Sequence, residues 1–139
     1  MMLPILKRLR KLCEDKQLKA LYVFGSRTSE AMELLNGARK SLSSAGRDLD
    51  VAILAGLPLS IDEKVAIATK LEELFDVPRV DLVLLNDADP FLAANAIRGN
   101  RLYASDSYEA DEYELFVLRR AGDLAGFERE RMAMVLGES

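Results

Sequence analysis

The residues of this chain best suited to chemistry are carboxylates. Asp48-Leu49-Asp50 leads into the apolar run Val51-Ala52-Ile53-Leu54. Side chains alternate faces along a strand, so Asp48 and Asp50 are expected to point one way while Leu49, Val51 and Ile53 point the other. Two carboxylates on one face, flanked by apolar residues, ask for a cation. Magnesium suits them, because it takes oxygen ligands and is usually held by one or two carboxylates together with substrate phosphates. Asp81 is the only charge inside a second strand-like run, Val80 to Leu85, and adds a third acid. Gly25-Ser26 follows the apolar run Leu21 to Phe24 and precedes the helix-like Glu30 to Leu35. It therefore reads as a strand-to-helix turn whose backbone N–H groups can seat phosphate. Of the nearby cations Arg27, Arg39, Lys40 and Arg47, Arg27 adjoins this turn and is the one expected to add positive charge to the phosphate site. Singly, a Gly-Ser turn or an Asp-x-Asp is a common feature of ordinary strands and turns; in this order along one chain they are far more specific.

The sequence holds no histidine and a single cysteine, Cys13. That removes the commonest general base, an internal disulfide and a thiolate zinc site, and leaves acid-base work to the carboxylates.

Gly25-Ser26, then Asp48-Leu49-Asp50, then Asp81 resemble the signature of the DNA-polymerase-β-type nucleotidyltransferase superfamily, and within it the minimal nucleotidyltransferase (MNT) branch. The stretch Ala96-Ile97-Arg98-Gly99-Asn100-Arg101-Leu102-Tyr103 is similar to that family's helix-Gly-strand ending, so the resemblance covers nearly the whole chain. One departure is the spacer, residues 27–47, whose 21 residues exceed the family's usual length. The resemblance implies an α/β nucleotidyltransferase fold of the α+β type, with a small mixed sheet flanked by helices and a long C-terminal helix. It implies ATP as substrate and two Mg2+ ions held by Asp48, Asp50 and Asp81, with Asp81 as the base for the acceptor hydroxyl. The triphosphate would rest on Gly25, Ser26 and Arg27. It also implies a partner, the cognate HEPN RNase toxin, silenced by transfer of AMP from ATP to one of its tyrosines. Two other activities fit the same residues: a binding-only antitoxin that masks its partner by contact, and a nucleotidyltransferase acting on a small molecule or an RNA end.

The elements that must position these residues follow from periodicity. Met2, Ile5, Leu6, Leu9, Leu12 and Cys13 recur at helical spacing with Lys7, Arg8, Arg10 and Lys11 between them, giving an N-terminal amphipathic helix with Cys13 in the core. Lys19 to Phe24 is the first strand. Arg27 to Asn36 is expected to be helical and closed by Gly37, followed by a mobile loop over 37–46, rich in small and polar residues. Ser60-Ile61-Asp62-Glu63 has capping-box spacing and starts a helix to Phe75, with Ile61, Val65, Ala68, Leu71 and Phe75 as its buried stripe. Val80 to Leu85 is the third strand. Asp89 caps a short helix with Pro90 at its first position, ending at Gly99; Arg101 to Ala104 is an edge strand, and the last helix spans about 109–135. That helix carries Tyr113, Phe116, Leu118, Leu124 and Phe127, more apolar surface than one core stripe requires, which offers a face to a partner or to a second copy of the chain.

At 139 residues, 50% hydrophobic and 30% charged, the chain suits a single domain over 1–139. No apolar stretch is long enough to span a bilayer, and the first residues lack a signal peptide's apolar segment, so a cytoplasmic location without membrane attachment is expected. The net charge of −4 divides unevenly, since residues 1–47 carry ten basic and four acidic side chains while the remainder carry nine and nineteen. That balance disfavours a protein that coats nucleic acid.

Overall fold

The computed structural model describes residues 4–39 and 48–135, and in the last helix the side chains as far as Gly122. The loop expected over 37–46, with Lys40 and Arg47, lies mostly outside that range, as do Met2 and the side chains of Leu124 and Phe127. The elements run α1 (Pro4–Asp15), β1 (Leu18–Phe24), α2 (Thr28–Leu35), β2 (Leu49–Ala55), α3 (Ile61–Phe75), β3 (Val80–Leu84), a 3-10 turn (Leu85–Asp87), α4 (Pro90–Ile97), β4 (Asn100–Ala104) and α5 (Ser107–Val135). They form a mixed four-stranded sheet in the order β3-β2-β1-β4. β1 runs antiparallel to both β2 and β4, and β2 runs parallel to β3.

The sheet is covered on both faces, which explains why β1 and β2 are buried almost throughout rather than alternately. On one face Leu18, Leu21, Val23, Leu49, Val51, Ile53 and Val80 pack with Leu9 and Cys13 of α1 and Leu71 and Phe75 of α3. On the other, Ala20, Tyr22, Phe24 and Ala52 meet Ala93, Ala94, Ala96 and Ile97 of α4 and Val117 and Ala121 of α5. In β2, and in β1 from Ala20 onward, odd-numbered residues serve the α1/α3 side and even-numbered ones the α4/α5 side; in β3 the parity reverses, with Val80 on the α1/α3 side. Asp50 and Asp81 therefore share the α4/α5 side, since β2 and β3 pair Asp50 with Asp81 directly.

Helix starts obey their local signals. Ser60 closes a complete capping box with Glu63, its hydroxyl accepting from the Glu63 N–H at 3.1 Å while the Glu63 carboxylate accepts from the Ser60 N–H at 3.3 Å. Asp89 accepts from the N–H groups of Phe91 and Leu92 at 2.9 and 3.0 Å, with Pro90 at the first helical position. The buried stripe of α3 departs from expectation. Leu71 and Phe75 are buried as expected, but Ile61 and Val65 are 77% and 58% exposed, and Ile67 and Leu74 complete the contact. Apolar residues lie on more than one side of this helix, and packing on α1 and β3 selects the stripe near its C-terminus.

Cys13 is fully buried, and burial, reinforced by Glu14, pushes its thiol up to about 12, so it is a core residue without nucleophilic character. In α5, Leu115, Phe116 and Leu118 remain exposed while Val117 and Ala121 pack inward, in keeping with the surplus apolar face read from the sequence. A polar clamp ties α5 to the sheet. The fully buried Tyr22 donates its hydroxyl to Glu114 at 2.7 Å, and Arg101 donates to Glu114 at 2.7 Å and to Asp111 at 2.9 Å. Tyr22→Phe should lower stability by about 1.5 kcal/mol, the lower end for a hydrogen bond to a charged group, because Arg101 still serves Glu114. Urea denaturation measures this; a variant as stable as wild type would mean that Arg101 alone satisfies the carboxylate.

Candidate active site

Three strands and one helix start converge at one end of the sheet. β1 ends at Phe24, which pairs with Asp50 of β2, which in turn pairs with Asp81 of β3. Asp48 immediately precedes β2, and the Leu49 N–H donates to the carbonyl of Arg79 at 3.2 Å, which fixes the entry of β2 against that of β3. Ser26, Asp48, Asp50 and Asp81 together line one open concavity of about 520 Å³. The four residues come from segments separated by more than 20 positions, and sheet register is what brings them together.

Gly25 makes the turn out of β1. Its φ of +81° belongs to the left-handed region that glycine adopts without strain, and a methyl group built on it would overlap the carboxylate of Asp50. The space that a side chain would need is therefore already filled by the acid. Thr28 closes the turn, its hydroxyl donating to the Gly25 carbonyl at 2.9 Å. No side chain caps α2 at Arg27, the Thr28 N–H turns back to the Gly25 carbonyl at 3.4 Å, and a helix start of this kind can seat an anion.

Arg27 is placed differently from its expected role. It does not line the concavity; its side chain is 5% exposed and its Nε donates to Glu30 at 2.8 Å, one helical turn along. The guanidinium secures the start of α2 from beneath. A cation that the sequence did not single out stands at the rim instead: Arg79 Nε lies 3.4 Å from Asp48 Oδ2. The signal was its position two residues before Asp81 in a strand-like run, which puts both side chains on one face.

Asp48 has Arg79 as a counter-charge, whereas Asp50 is flanked by the other two acids of the concavity. Partial burial raises the Asp50 carboxyl above the usual carboxylate range, and Asp81, through its charge and a shared hydrogen bond, and then Asp48 raise it further. A hard cation would relieve all three effects at once. Among the described residues no three acidic or thiol groups form a closed ligand cluster, yet all three acids line the same concavity. The shared concavity is enough for magnesium, which needs only one or two carboxylates and draws the remainder of its shell from water and phosphate oxygens. The oxygen-only donors of Asp48, Asp50 and Asp81 fit that ion.

Residues 7–108 match the family described as polymerase beta, nucleotidyltransferase. The chain belongs to that family. As a polymerase-β-type nucleotidyltransferase it also aligns with solved MNT antitoxin structures along nearly its full length. It matches a toxin-antitoxin structure with AMP-PNP at 25% identity and TM-score 0.61, covering 94% of each chain. It matches a mutant of the toxin-antitoxin MntA-HpeT at 26% identity and TM-score 0.60, covering 96% of each chain. A complex of tri-AMPylated Shewanella oneidensis HEPN toxin with MNT antitoxin shares the fold at 24% identity and TM-score 0.59, over 94% of this chain and 92% of that one. No curated protein sequence matches the chain. Among the described residues of this nucleotidyltransferase no helix is long and apolar enough to cross a membrane.

Proposed function

We propose that this nucleotidyltransferase transfers AMP from ATP to a tyrosine hydroxyl of a cognate HEPN toxin and so acts as its antitoxin. The observation that carries the reading is the single concavity lined by Ser26, Asp48, Asp50 and Asp81 beside an uncapped helix start. The solved relatives point to the same chemistry, since one contains AMP-PNP and another a tri-AMPylated toxin.

In this reading Ser26 and the first turn of α2 hold the terminal phosphates, and Asp48 and Asp50 with Asp81 hold two magnesium ions. Magnesium, when bound, neutralises phosphate charge and lowers the pKa of a coordinated hydroxyl. The tyrosine oxygen attacks the α-phosphorus in line, the bond to the β-phosphate oxygen breaks, and pyrophosphate leaves. Asp81, exposed at the concavity and free of the Arg79 contact, accepts the hydroxyl proton. Gly25 keeps room for Asp50, and Arg27 contributes by anchoring the helix start on which the phosphates rest.

The test is incubation of the chain with α-labelled ATP, magnesium and the HEPN protein encoded beside it. Label should appear on the partner with the wild-type chain, and Asp81→Asn should leave much of the Mg·ATP binding supplied by Ser26, Asp48 and Asp50 while losing about 10²-fold or more in transfer rate. Suppression of the partner with no label attached would replace this reading by masking through contact alone.

A further inference from the structure

Arg79 occupies a position that the nucleotide-transfer reading leaves unassigned. Its backbone is held at the entrance to β3, where its carbonyl accepts the Leu49 N–H at 3.2 Å. It stands two residues before Asp81, and its Nε lies 3.4 Å from Asp48 Oδ2. Of the acids lining the concavity, Asp48 is therefore the one already engaged by a cation. The pair is loosely held, with side chains 76% and 48% exposed, so solvent screens it and it can part at low cost.

We propose that Arg79 is an internal stand-in for the metal, a positioning residue that neutralises Asp48 until nucleotide and metal arrive together and then turns to the phosphates. This deepens the nucleotide-transfer reading and rests on it. A carboxylate oxygen engaged by guanidinium is less available to a metal ion, so metal arriving alone must displace Arg79. The guanidinium it displaces stays near the concavity, tethered by a backbone whose carbonyl accepts the Leu49 N–H, and its planar fork matches phosphate oxygens. Metal without nucleotide thus loses an ion pair, whereas metal with nucleotide replaces it by a new one. The consequence is coupling: each of the two ligands binds better in the presence of the other.

The test uses Mn2+ as a metal probe and Mg·AMP-PNP as a non-transferring nucleotide, titrated calorimetrically into wild type, Arg79→Ala and Arg79→Lys. Arg79→Ala should bind Mn2+ alone about two- to fivefold more tightly, the scale of an exposed ion pair, and bind Mg·AMP-PNP about tenfold or more weakly. Arg79→Lys should restore the weaker binding of Mn2+ alone but recover only part of the nucleotide affinity, because an ammonium lacks the fork. Arg79→Ala titrating like wild type with both ligands would overturn the exchange while leaving the metal site standing. A wild-type chain that bound neither ligand would overturn the nucleotide-transfer reading and the exchange with it.

Discussion

Asp50→Asn is expected to reduce nucleotidyl transfer by more than about 10²-fold while leaving the metal-free fold at least as stable as wild type at neutral pH. The kinetic bound follows from metal sites in general, where removing a group that merely orients a ligand already costs about 10- to 100-fold, so removing a ligand costs more. The stability effect comes from the proton on Asp50. Burial, then Asp81, then Asp48 raise the Asp50 pKa in the folded chain above its ordinary value of 3.8. The folded state therefore binds more protons than the unfolded chain between the ordinary and the raised value, and stability falls as pH climbs through that window. Above it, the wild type carries the whole cost of an ionised Asp50 beside two other acids, and asparagine carries none of it. Thermal melts without added metal should show the variant at or above wild type at pH 7, with the difference shrinking toward zero below pH 3.8. Wild-type transfer rates in the variant would remove Asp50 from the reaction, and a melting point well below wild type at pH 7 would show that the carboxylate has a structural partner worth more than the repulsion.

Much of this architecture is legible locally. Ser60 with Glu63 and Asp89 with Pro90 announce helix starts whose bonds lie within three residues, and β1, β2 and β3 announce themselves by apolar runs that each carry a single charge. The even-numbered face shared by Asp48 and Asp50 follows from the two-residue period of a strand. What fails to show in the sequence depends on partners far away along the chain. The α3 stripe is chosen by its contacts with α1 and β3, which no periodicity within α3 can reveal. Arg27 looked available because it adjoins the Gly-Ser turn, but burial against Glu30 takes it out of the concavity. Arg79 looked like any surface cation before a strand, and only the parallel pairing of β2 with β3 sets it beside Asp48. The mixed strand order itself has no local signature at all.

Gly25 shows the same dependence at its sharpest, and gives the largest expected stability effect. Gly25→Val should destabilise the chain by about 2–5 kcal/mol, from roughly 1–2 for forcing an L-residue to positive φ and roughly 1–3 for overpacking. It should also weaken ATP binding by about tenfold or more in whatever fraction remains folded. Two causes for the binding loss need separating, since bare backbone could be required by the phosphate or by Asp50. The geometry favours Asp50, because the volume a β-carbon would enter is filled by that carboxylate before any nucleotide arrives. A double-mutant cycle decides between them in the absence of nucleotide. Gly25→Ala in the wild-type background should incur both the φ strain and the overlap, whereas in an Asp50→Ala background only the φ strain remains. The two substitutions should therefore be non-additive, the double variant being more stable than the sum predicts by about 1 kcal/mol or more. Strict additivity in urea denaturation would mean that the Asp50 side chain simply moves aside, and the requirement for glycine would then lie in the turn and in the phosphate alone.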